Sequence, residues 1–97
     1  MIDDAFASVH NHHEAAVLAA VRALAPRYPL LAGDDERLAD VACVALNRLP
    51  PRYIRHTIDL SFYQSDDDRA AQAHEIEHAV AHAFEFVQAR KAMKARS

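Results

Sequence analysis

The sequence predicts a small all-α domain built on three main helices. Three observations carry that expectation. One glycine stands among 97 residues that are 52% hydrophobic, and much of the apolar content is alanine, the strongest helix former. Apolar residues recur at helical spacing in three separate segments. The last of these opens on acids and closes on bases, the polarity a helix dipole favours.

The first segment runs from about Asn11 to Leu24. Val17, Leu18, Val21 and Leu24 form one apolar stripe. Asn11 followed by Glu14 fits a capping box. Pro26 and Pro29 end the helix.

The second segment opens at Asp34 or Asp35, good N-cap residues that also suit the positive end of the dipole. Leu38, Val41, Ala42, Ala45, Leu46 and Leu49 give the clearest helical pattern in the chain. Pro50 and Pro51 stop it. Asp40 and Asn47 share the opposite, polar face. Cys43, in mid-helix with no second thiol in the chain, reads as a small, partly buried hydrophobe.

Between residues 52 and 64, Ile58, Leu60 and Phe62 alternate with Asp59 and Ser61, a strand-like pattern. A lone strand has no partner in the chain. The segment is therefore expected to be an ordered, extended connection, or to pair across a dimer axis.

The third segment starts at Ser65 with Asp66, Asp67 and Asp68 in its first turn, and ends in Arg90, Lys91, Lys94 and Arg96. Ile76, Val80, Ala83, Phe84 and Val87 make its apolar stripe. About 30 residues of helix would be roughly 45 Å long. That exceeds what one small domain covers, so a homodimer is expected. The chain reads as a single domain, 1–97, with residues 1–8 and 91–97 fraying.

Composition narrows the function classes. A formal charge of −3 argues against non-specific nucleic-acid binding, and leaves room for a small anion at a local basic patch. One cysteine excludes an internal disulfide and suits a reducing compartment. The acidic start lacks the apolar core of a signal peptide. No apolar run is long enough to span a membrane. The expectation is a cytoplasmic protein.

The residues with most chemical potential surround the double proline. Arg48, Arg52 and Arg55, with His56, flank a rigid corner. Guanidinium groups fork onto phosphate and onto the O6/N7 edge of guanine. Tyr53 and Tyr63 offer stacking faces, and Asn47 offers an amide. The competing reading, the more frequent one from spacing alone, has these arginines solvated or paired with Asp40 or Asp59.

His74-Glu75-Ile76-Glu77-His78 matches the H-E-x-x-H pattern of zinc peptidases. His74, His78 and His82 fall opposite the apolar stripe, so the row is expected to face away from the core. His82 is a poor third ligand, about 12 Å along the helix from His74. A zinc-dependent hydrolase at His74 and His78 is thus the least favoured reading. His10, His12 and His13 are expected to be exposed polar filler near a helix start. No catalytic residue, metal ligand or cofactor is assigned.

The stretch Asp40-Val41, then Leu46-Asn47-Arg48-Leu49-Pro50-Pro51-Arg52-Tyr53, resembles the signature of the bacterial late-competence ComFB family. Asn11-x-x-Glu14 with Val17 and Val21 resembles that family's first helix, and the likeness covers residues 9–90. Asp40, Asn47, Arg48, Pro50, Pro51 and Tyr53 match the motif. The resemblance implies a small all-α homodimer without enzymatic activity. It also implies signalling through cyclic-di-GMP, since cyanobacterial members are receptors for that messenger. Many relatives carry a zinc-suited cysteine cluster before the second helix. Here Ala32-Gly33-Asp34-Asp35 takes its place, so structural zinc is not expected.

The leading expectation is a non-catalytic regulatory protein that binds a cyclic dinucleotide and signals to an unidentified protein partner. Asp40, Asn47, Arg48, Arg52, Tyr53, Arg55 and His56 are its candidate ligand-binding residues. The alternative is a structural adaptor dimer with no small ligand.

Overall fold

The computed structural model describes residues 6–55 and 64–96. In chain order it contains β1 (His10–Asn11), α1 (His13–Leu24), a 3-10 turn (Ala25–Arg27), α2 (Pro29–Ala32), α3 (Asp35–Arg48), β2 (Tyr53–Ile54) and α4 (Asp66–Arg96). The architecture is mostly helical, with a two-stranded antiparallel ribbon in which His10 faces Ile54 and Asn11 faces Tyr53.

Three apolar faces meet in one core. Val17 and Val21 come from α1, Val41, Ala42 and Ala45 from α3, and Ile76, Ala79, Val80, Ala83, Phe84 and Val87 from α4; Ala25, Leu31 and Leu49 close it. Small alanines on α3 and α4 let the helix axes approach closely, while Phe84, fully buried, fills the centre. Tyr28 lies flat on Phe84, with ring centroids 4.4 Å apart and planes 6° apart. Its hydroxyl donates to Glu85 Oε1 at 3.2 Å. Burial, then the Glu85 bond, raises the Tyr28 phenol above its usual range.

The helix ends follow local chemistry. Asp34 caps α3, its Oδ1 accepting from the Arg37 backbone N–H at 3.2 Å. Ser65 and Asp68 form a reciprocal cap on α4: each backbone N–H donates to the other's side-chain oxygen at 3.1 Å. The Ser65 backbone N–H, and after it the Ser65 hydroxyl, hold the Asp68 carboxyl below its usual range.

Five expectations are corrected. His13, expected to be exposed, is buried at the start of α1. Asn11 and Glu14 do not form a capping box. Asn11 Oδ1 instead accepts from His13 N at 3.1 Å and from Arg52 N at 3.3 Å, so it joins the start of α1 to the segment after the prolines. The extended connection does have a partner within the chain, because Tyr53–Ile54 pairs with β1. Ile58, Leu60 and Phe62 lie outside the described residues. Cys43 is exposed, because the buried face of α3 is set by Val41, Ala42, Ala45 and Leu49 and places Cys43 on the Asp40–Asn47 stripe. Leu18 is half-exposed rather than core, one position round the helix from Val17.

α4 is 31 residues long and continues through Arg96. Lys91 Nζ donates to the Leu30 carbonyl at 2.7 Å. Phe86 and Met93 are exposed. Among the described residues no helix is long and apolar enough to cross a membrane.

Candidate functional site

The prolines at 50 and 51 end α3 and turn the chain into β2. There His12 N donates to the Arg52 carbonyl at 2.6 Å. Alternation along an extended segment sends neighbouring side chains to opposite faces. Arg52 and Tyr53 therefore serve different clefts, and Pro51 is a wall of both.

The first cleft, about 480 Å³, is lined by Asn11, Glu14, Cys43, Leu46, Asn47, Leu49, Pro51 and Tyr53. Its volume lies within the range of small-molecule sites. Tyr53 is 66% exposed, so one ring face is available to a planar ligand. Asn47 Nδ2 reaches Cys43 Sγ at 3.7 Å. Glu14 stands in the first turn of α1 and is the one charged residue of this lining among the described residues.

The second cleft, about 360 Å³, holds Arg52 with His13, Gln64, Asp68, Gln72 and Glu75. Its polar groups engage one another. Gln72 Nε2 lies 3.2 Å from His13 Nδ1, and Gln64 donates to Gln72. The Arg52 charge helps to lower the Asp68 carboxyl, after the Ser65 bonds. It also helps to lower the His12 imidazole, after burial and His13.

The other sequence candidates are dispersed. Arg55 Nε donates to Ser8 Oγ at 3.2 Å. Arg48 is exposed in the last turn of α3. Asp40 pairs with Arg37 at 3.7 Å, two helical turns from Asn47. His56 and Tyr63 lie outside the described residues. Asn47 and Tyr53 are thus brought together, whereas Arg52 lines a cleft with neither of them. Glu14, Asn11 and Cys43 were missed as lining residues. Glu14 had been spent on a cap that does not form, and only the ribbon, a long-range pairing, brings it beside Tyr53.

His74 and His78 sit one turn apart on the exposed face of α4, with ring centroids 6.1 Å apart. They line a shallow cleft with Tyr28, Glu77, His82 and Glu85. The row faces away from the core, as its helical phase predicts. Among the described residues, no group of three or more His, Cys, Asp or Glu is placed to hold a metal ion.

Residues 10–91 match the family model described as late competence development protein ComFB, close to the span over which the sequence resemblance was drawn. Comparison with curated proteins and with solved structures gives no significant match. The match spans most of the chain and includes the whole corner from Asp40 to Tyr53, and the chain therefore belongs to the ComFB family.

Proposed function

We propose that this protein is a non-catalytic regulator that binds a cyclic dinucleotide, cyclic-di-GMP in particular, at the proline corner and passes the signal to a protein partner. Family membership supports a competence-related regulatory role. The observation that carries the ligand reading is the cleft in which Asn47, Pro51 and Tyr53, all residues of the family signature, share one lining. Tyr53 stacks on a base, the Asn47 amide meets a base edge, and Arg48 and Arg55, both exposed, supply cations for the phosphates. Arg52 adds positive potential from the far side of Pro51. Arg55 is bonded to Ser8, and Arg52 shares its own cleft with Asp68, so binding re-aims them and shifts the ribbon against α1. That movement is the signal a partner reads.

The working unit is a cytoplasmic homodimer. Phe86 and Met93, exposed on the face of α4 turned away from the core, supply the apolar surface for it. The same surface favours a second reading, an adaptor dimer that needs no nucleotide.

Calorimetric titration with cyclic-di-GMP distinguishes the two. Wild type is expected to bind at micromolar concentration, and Arg48→Ala/Arg52→Ala to bind more weakly with a shallower salt dependence. Absence of heat from wild type, or identical binding by the double variant, rejects the receptor reading in favour of the adaptor.

A further inference from the structure

Resting on the receptor reading, we infer that Glu14 selects guanine over adenine in the Tyr53 cleft. The argument is chemical complementarity. On its Watson–Crick edge guanine presents two adjacent kinds of donor, N1–H and the N2 amino group, and it presents O6 and N7 as acceptors. A carboxylate is an acceptor with two oxygens, so it accepts from N1–H and N2–H together. Adenine offers an unprotonated N1 and a C2–H at the equivalent places, so the paired contact is lost, the N1 lone pair is repelled, and only the N6 amino group on the other side of N1 is left to donate.

The cleft is built for that edge. Glu14 brings a carboxylate from the first turn of α1, Tyr53 brings an exposed ring from β2, and Asn47 brings an amide from the last turn of α3. Three elements therefore contribute to one lining. The Asn11 side chain, buried and bonded to both His13 N and Arg52 N, fixes α1 against β2 and so holds Glu14 beside Tyr53. No basic residue lines this cleft among the described residues, so Glu14 is not neutralised by a neighbour in the lining. Arg52 lines the other cleft, with Asp68 and Glu75, and not this one. An acidic lining is a poor place for phosphate, which leaves the cleft to the ligand's base.

The test is calorimetric titration of the full chain with cyclic-di-GMP and with cyclic-di-AMP, comparing wild type with Glu14→Gln and with Glu14→Ala. Wild type is expected to prefer cyclic-di-GMP by at least about 10-fold, the scale of one bidentate base contact. Both variants are expected to lose most of that preference while remaining folded, because Glu14 is exposed; circular-dichroism melting checks the fold. Cyclic-di-GMP binding that is unchanged in both variants overturns the assignment of Glu14 and leaves the receptor reading standing. Equal binding of the two nucleotides by wild type also overturns it. A wild type silent to both nucleotides rejects the receptor reading itself, and the assignment with it.

Discussion

The two flanks of Pro51 use similar side chains to opposite ends. On the Arg52 side, cation, carboxylates and amides face one another, and the Arg52 charge is felt by Asp68 and His12. On the Tyr53 side, a carboxylate, an amide and an aromatic ring line open space. The first arrangement ties α4 to the corner. The second has binding capacity left over. A count of arginines around the prolines therefore overstates the positive field a ligand would meet, because a charge already facing its own acids has less to give.

The comparison can be broken from below, by weakening the core under both flanks. Phe84→Ala removes the largest fully buried side chain and the ring beneath Tyr28. It should cost about 3–5 kcal/mol in chemical denaturation, and leave nucleotide affinity intact at temperatures where the variant is still folded. Lost affinity in a folded Phe84→Ala protein would mean that the clefts are not independent of the centre of the bundle.

A smaller and more selective effect is expected from Asn11→Ala. One side-chain oxygen serves two backbone donors, His13 N and Arg52 N, and its loss strands both. The expected cost is about 1–3 kcal/mol. Unlike Phe84→Ala, it should weaken nucleotide binding beyond its effect on stability, since α1 and β2 lose their alignment. Hydrogen exchange at Arg52 and His13 reads the change directly. Protection unchanged at both amides would show that the ribbon holds without Asn11.

The smallest effect concerns pH and belongs to the Arg52 side alone. The Asp68 carboxyl is held below its ordinary 3.8 by the Ser65 bonds and, to a lesser degree, by Arg52. A depressed folded-state value means that the unfolded chain binds the proton first. The contribution is therefore fully present above about 3.8 and fades as pH falls below it towards the folded-state value. Asp68→Asn should flatten acid destabilisation in that window and leave the neutral-pH melting temperature little changed, because the group is solvent-exposed. An acid limb identical to wild type would assign the pH dependence to other carboxylates.

How far the sequence could be read follows the range of the forces involved. The helices were legible because a stripe such as Ile76, Val80, Ala83, Phe84 and Val87 is written within one segment and needs no distant partner. The Asp34 cap and the Ser65 start were legible for the same reason. The ribbon was not. Each of its strands is two residues long, and their pairing depends on Asn11 meeting residues some forty positions away. Misreading Asn11 as a local cap hid Glu14 as a cleft residue. The corner's cations were legible as a cluster in sequence, but extended backbone alternates its side chains. Arg52 and Tyr53, adjacent in the chain, therefore part company in space.

Binding capacity resides on the Tyr53 flank. Cyclic-di-GMP titration of Tyr53→Ala beside Arg52→Ala tests it most directly. Loss of a stacked base costs about 1–3 kcal/mol, so Tyr53→Ala should bind at least about 10-fold more weakly, while Arg52→Ala stays within about 3-fold of wild type. Tight binding by Tyr53→Ala together with collapse in Arg52→Ala would place the ligand on the other side of the proline and contradict the account.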